Sequence, residues 1–204
     1  EDKDGVHGAA TAFVTISHEK GSGPDVPNDS AEDIIVVNGH KAVRLAGTYW
    51  ATENVEDEVI CTALNGVYDA RYGCYFNQCR GNTGEYDANN NNALNAMMFW
   101  GDNWTLPDKE QWQDLLDYCK WTYTKIDGKN GYLVEGKSQY GEEGNSIFLP
   151  CNGYYSNEST PHEQNYGGYY WASNKGTCLE MIDLRAKVST TRSIKYMSVR
   201  PVIE

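Results

Sequence analysis

Five tyrosines, Tyr154, Tyr155, Tyr166, Tyr169 and Tyr170, crowd around a polar stretch, SNESTPHEQNYGG, that carries Asn157, His162, Gln164 and Asn165. Tyrosine and amide side chains together suit sugars or peptides. The ring face stacks, while the hydroxyl and the amides direct hydrogen bonds at low entropic cost. The expected ligand-binding residues are therefore Tyr154, Tyr155, Asn157, His162, Gln164, Asn165, Tyr166 and Tyr169. The plainer reading is that these tyrosines fill strand faces, in which case alternation puts one of Tyr169 and Tyr170 inside.

Other chemistries fit less well. Cys151 and His162, with Asn165 as orienter, could be drawn as a nucleophile and base, but Cys151 directly follows an apolar run and Pro150, where a packed thiol or a disulfide is the simpler reading. Zinc needs closely spaced Cys and His, and the four histidines are scattered at His7, His18, His40 and His162. Asp87, Asn89 and Asn91 alternate like calcium-loop ligands, yet Asn92 stands where the loop glycine belongs and Met98 where the bidentate glutamate belongs. No catalytic residue and no cofactor are expected. Calcium is left open only through Glu142, Glu143 and Asp183. The 29 acidic residues offer many carboxylate pairs, so abundance by itself does not argue for glycoside hydrolysis.

A net charge of −12 over 204 residues repels phosphate backbones and anionic lipid surfaces, which argues against nucleic acid as a partner. No run reaches the roughly 18 apolar residues of a membrane span, and no charged-then-apolar leader opens the chain, as in a mature or trimmed form. Six cysteines, Cys61, Cys74, Cys79, Cys119, Cys151 and Cys178, are an even set and favour an extracytoplasmic location.

The element that positions this material most clearly is a helix at about 107–120. Asp108 is a good N-cap, and Gln111 can complete a capping box. Trp112, Leu115, Leu116 and Cys119 form one apolar stripe, leaving Lys109, Gln113 and Asp117 in water. Residues 1–33 read as a linker rich in Gly, Pro, Ser and Asp, with residues 10–17 as an isolated strand that either joins the edge of the main domain or remains from an upstream module. The domain proper is expected over 34–204. It opens on a hairpin about Asn38-Gly39, with Tyr49 and Trp50 ending the second strand. Residues 56–70 are left unassigned, and 81–92 are expected to be irregular. A second hairpin with a longer turn over 127–131 follows the helix. IFLP is expected as a short buried strand, YYWAS and CLEMIDLRA as one strand each, and SIKYMSVRPVIE as the last. The order is an α+β pattern of short antiparallel strands with one clear capped helix.

TYWATENV, GDNWTLPDKEQWQDLL, IFLPCNGYY, GYYWASN and YMSVRPVIE resemble, in order and spacing, the Fibrobacter succinogenes major paralogous domain family of secreted and lipid-anchored Bacteroidetes proteins. The resemblance covers about residues 34–204 and implies a C-type-lectin-like fold whose terminal strands pair. It implies a non-enzymatic cell-surface adhesion or ligand-binding module for a glycan or a surface protein. An enzyme on a scaffold like that of formylglycine-generating enzymes, or a purely structural fimbrial tip domain, are the alternatives. The calcium triplets of sugar-binding C-type lectins are missing from this chain.

Overall fold

Tight turns with a left-handed backbone organise the strands, at Asn38-Gly39, Ala46-Gly47, Asp127-Gly128 and Asp183-Leu184. The computed structural model describes residues 33–78, 86, 91–157, 159–192 and 194–203. The isolated strand expected at residues 10–17, most of the 1–33 linker and Cys79 lie outside the described residues.

The chain enters at β1 (Ile34–Val37) and turns through Asn38-Gly39, both with positive φ (53° and 85°), into β2 (His40–Leu45). Such a pair forms a type I′ turn whose twist matches the strands it joins. A second such turn at Ala46-Gly47, again with positive φ (51° and 79°), leads to β3 (Thr48–Ala51). Tyr49 and Trp50 thus lie on a third strand, not at the end of the second. The dipeptide Ala-Gly is a weaker hairpin signal than Asn-Gly.

Residues 56–70 hold a short helix, α1 (Glu58–Ala63), capped at Asp57, whose carboxylate accepts the Val59 amide at 2.7 Å. Asn65 takes a positive φ of 51°, and the Gly66 amide donates to Cys61 O at 2.8 Å, closing the helix as a Schellman motif. A ribbon follows, β4 (Val67–Asp69) and β5 (Gly73–Tyr75). Asn91 caps one turn of helix, α2 (Asn92–Asn95), so Asn92, expected in an irregular loop, is helical. A 3₁₀ turn over Ala96–Phe99 leads to β6 (Trp104–Thr105).

The expected helix is α3 (Lys109–Tyr118). Its capping box is complete: Asp108 accepts the Gln111 amide at 2.7 Å, and the Gln111 side chain accepts the Asp108 amide at 2.8 Å. Trp112 and Leu115 are fully buried, while Lys109, Gln113 and Asp117 are exposed. The chain then runs directly into β7 (Lys120–Ile126) and β8 (Lys129–Glu135). Their turn is two residues, Asp127-Gly128 with φ of 48° and 79°, and is shorter than expected, because Asp-Gly adopts the I′ geometry outright. Next come β9 (Ser146–Pro150), which contains IFLP, and the small ribbon β10 (Tyr154–Tyr155) with β11 (Pro161–His162).

The last sheet is β12 (Gly168–Trp171), β13 (Thr177–Ile182) and β14 (Arg185–Thr190). CLEMIDLRA, expected as one strand, is split by a turn at Asp183-Leu184. Of SIKYMSVRPVIE only β15 (Val202–Ile203) is a regular strand, and residues 196–198 make single bridges to Tyr155, Phe76 and Tyr170. Pro201 and the buried Arg200 interrupt a longer ladder.

Among the described residues every named strand pair is antiparallel, in a five-stranded sheet β1-β2-β3-β15-β6, two three-stranded sheets β7-β8-β9 and β12-β13-β14, and two ribbons, with parallel contact only in the single bridges Gly153 to Gly168 and Tyr170 to Ser198. The described chain is therefore strand-rich α+β. The ends of the described chain share one sheet, but β15 pairs with β3 (Val202 opposite Trp50) and not with β1. Two successive tight turns place β1 at the outer edge, two strands away. Val202 also faces Thr105 of β6.

Two cores lie on either side of these strands. Tyr49, Trp104, Tyr169 and Trp171 pack into one, and Trp50, Trp112, Leu115, Tyr170 and Val202 into the other. Consecutive residues of β3 and β12 point to opposite cores, as the period of a strand requires. Tyr169 and Tyr170 are consequently both buried, where only one was expected inside. A sheet covered on both faces has no solvent side.

Candidate functional site

The tyrosine-rich loop does not present its eight expected residues as one surface. Three groups form instead: one is tied down around Asp69, one gathers the half-buried Tyr154 and His162 with the exposed Asn157, and one faces a groove.

In the first, Tyr155 and Gln164 converge on Asp69 beside Tyr75. The Tyr155 hydroxyl donates to Asp69 Oδ2 at 3.0 Å, and Gln164 Nε2 donates to the same oxygen at 2.9 Å. Asp69 Oδ1 also receives the amides of Arg71 and Tyr72, at 2.8 and 3.1 Å. Burial would raise the Asp69 carboxyl, but the hydrogen bonds from Gln164, the Arg71 amide, Tyr155 and the Tyr72 amide outweigh it and hold the group below its ordinary value. Burial and the Asp69 carboxylate push the Tyr155 phenol up to about 12. With Tyr155 buried, this network fastens the loop to the β4-β5 ribbon.

In the second group, the Tyr154 ring is taken up by neighbours. His162 stacks on it at 4.9 Å, Tyr169 meets it edge-on at 5.0 Å, and Lys195 Nζ lies 4.0 Å from its centre. The Tyr169 hydroxyl donates to Glu163, and burial with this carboxylate raises its phenol. His162 Nε2 is 2.8 Å from Ser156 Oγ, the spacing of a nucleophile and its base. Among the described residues, however, no carboxylate is bonded to the other imidazole nitrogen. The bond spans the β10-β11 hairpin and ties its two sides. Asn157 Oδ1 accepts the Ser159 and Thr160 amides at 3.0 Å each, and Asn165 pins the loop to β8 through both Asn130 donors, at 3.0 and 3.1 Å. Gly153 must be glycine: its φ is +69°, and a Cβ there would sit 2.1 Å from His162 O.

Cys151 is buried, and burial pushes its thiol up to about 11, the reverse of what a nucleophile requires. The Cys119 and Cys178 thiols are raised to about 12, again first by burial. The five described cysteines are free and buried. Among the described residues no three His, Cys, Asp or Glu side chains gather as metal ligands. Glu142, weighed as a calcium ligand, is buried and spends both carboxylate oxygens on the β2-β3 turn, accepting the Ala46 and Gly47 amides at 2.8 and 3.0 Å.

The third group faces outward. Tyr166, 56% exposed, stands at the rim of an open groove of about 320 Å³ lined also by Tyr123, Tyr132, Met181, Ile182, Asp183 and Leu184. Tyr123 and Tyr132 are opposite partners on β7 and β8, with ring centres 5.4 Å apart and nearly perpendicular. The Tyr166 hydroxyl donates to the Asp183 carboxylate, which raises the Tyr166 phenol. The turn that forms the far wall, Asp183-Leu184, has positive φ at both residues (52° and 60°). Leucine is costly in that conformation, and Leu184 is also 71% exposed, so burial returns nothing for it. Such uncompensated strain is characteristic of ligand clamps.

Tyr123, Tyr132, Met181, Ile182 and Leu184 were not anticipated as site residues, and Asp183 was weighed only as a cation ligand. One signal for them was present: Tyr123 and Tyr132 are equidistant from Asp127-Gly128, which makes them cross-strand neighbours once that turn is recognised. Comparison of the chain with family models, curated proteins and solved structures returns no match.

Proposed function

We propose that this protein is a non-enzymatic ligand-binding or adhesion module of the cell surface, extracytoplasmic and secreted or membrane-anchored, on a C-type-lectin-like scaffold of the Fibrobacter succinogenes major paralogous type. The scaffold reading is supported by the five-stranded sheet that joins both ends of the described chain, by the capped helix α3 beside it, and by the loop-bearing sheets beyond.

The observation that carries the binding reading is the outward groove under Tyr166. An aromatic-walled depression carried on loops and turns of a rigid β-framework is the usual build of a recognition surface. Its ligand is a glycan or a surface protein. Of the eight loop residues, Tyr166 offers an open ring, while Tyr154, Tyr155, Asn157, His162, Gln164, Asn165 and Tyr169 hold the loop in place behind it.

The test is a screen of the full chain on glycan and surface-protein arrays, with and without calcium, beside Tyr166→Ala. Tyr166 is exposed, so the variant keeps the fold, which circular dichroism checks. Binding that falls at least about tenfold in the variant is expected from the loss of an aromatic anchor. A bound ligand that is indifferent to Tyr166 contradicts the reading.

A further inference from the structure

The composition of the groove points to a chemical class. Among the described residues its exposed aromatic walls are Tyr123 and Tyr166, the buried Tyr132 and Met181 lie at its base, and its one charged lining residue is the Asp183 carboxylate. Among the described residues no Asn, Gln, Lys or Arg lines it. A neutral sugar is ordinarily held by several amide and charged groups that donate and accept around its hydroxyls, and this lining offers ring faces, phenol hydroxyls and one carboxylate but no amide. Aromatic faces carry negative quadrupole charge and attract cations, most of all weakly hydrated substituted ammonium groups. A carboxylate beside them adds a full charge.

Among the described residues Asp183 makes no ion pair, so its charge is not already neutralised. Its hydrogen bond from Tyr166 leaves that charge in place and fixes the Tyr166 ring at the rim. Glu163, within electrostatic reach of Tyr166, adds to the negative field. The net charge of −12 acts in the same sense at long range. The strained Leu184 closes the wall with an apolar side chain suited to methyl groups. The volume of about 320 Å³ is at the small end for ligand sites, enough for a headgroup or a side-chain tip.

We propose that the groove bounded by Tyr123, Tyr132, Tyr166, Asp183 and Leu184 is an aromatic cage for a substituted ammonium group. This rests on the binding reading above and names the ligand's chemistry. The group is borne by a trimethylammonium substituent of a surface glycan or by a methylated lysine side chain of a surface protein; both present the same cation to the cage.

The experiment titrates the full chain with choline, with a peptide containing trimethyllysine, with 3,3-dimethylbutan-1-ol as the neutral carbon isostere of choline, and with N-acetylglucosamine. The proposal expects saturable binding of at least one of the two cations, and at least about tenfold weaker binding of the neutral isostere. Tyr166→Ala and Asp183→Asn should each weaken the cation by about fivefold or more, and Asn keeps the left-handed turn position intact. The stronger of the two cations identifies the source. Equal binding of choline and its isostere, cation binding unaffected by both substitutions, or no cation binding overturns the proposal. N-acetylglucosamine binding that is lost in Tyr166→Ala would overturn the cationic class while leaving the groove as a ligand site.

Discussion

Leu184 holds a left-handed backbone at the apex of β13-β14 with its side chain mostly in water, and neither burial nor conformational ease explains it. Replacement by glycine would create Asp-Gly, the pair already used between β7 and β8. Leu184→Gly is expected to raise stability by about 1 kcal/mol, since relief of a left-handed leucine exceeds the added unfolded-state entropy. The same change should weaken ligand binding; denaturant unfolding and the array signal check the two halves. A destabilised variant would show that Leu184 is held by packing and not by function. Asp69 makes a different residue-scale prediction. Its folded carboxyl lies below its unfolded value because four donors favour the charged form. It therefore contributes stability above the unfolded value near 3.9, and that contribution is lost as pH falls through the folded value. Denaturant midpoints measured below about pH 4 should drop less steeply in Asp69→Asn than in the native protein. An identical slope would remove Asp69 from the acid response.

At the scale of elements, turn and cap chemistry decided what could be read in advance. The helix α3 was legible because Asp108, Gln111 and the Trp112, Leu115 stripe all agree. The hairpin at Asn38-Gly39 was legible for the same reason, and the second hairpin was expected too, though with a longer turn over 127–131 than the two residues Asp127-Gly128 that form it. The helix α1 was not, since six residues are too few for a stripe, and its signals are the cap Asp57 and the Asn65-Gly66 stop. The turn at Ala46-Gly47 depends on a partner 95 residues or more away, the Glu142 carboxylate, which receives both turn amides. No local pattern reveals such a contact. Glu142→Gln keeps the size but lets the amide oxygen satisfy only one of these donors and sets an NH₂ against the other. We expect a loss of about 2 kcal/mol in chemical denaturation. A loss below about 0.5 kcal/mol, as for an ordinary surface change, would mean that the turn stands without its clamp.

Over the whole molecule, the α+β class and the approximate order of strands were readable from patterning, while the assembly of strands into sheets was not. β15 reaches β3 and β6 across most of the chain, and the two cores arise because β3 and β12 are covered on both faces. The same covering explains why Tyr155, Tyr169 and Tyr170, which flank the loop, are buried. Local sequence shows which residues could bind, whereas burial by distant strands decides which of them stay exposed. Tyr166 faces a groove, and its neighbours there come from β7, β8, β13 and the β13-β14 turn. The measurement that bears most directly on this account is an NMR titration of the full chain with the tightest ligand from the array screen, following Tyr123, Tyr166, Met181 and Leu184 beside Tyr154 and His162. Saturable shifts concentrated at the first four are the predicted result. Shifts centred on Tyr154 and His162, with the groove residues unmoved, would contradict it.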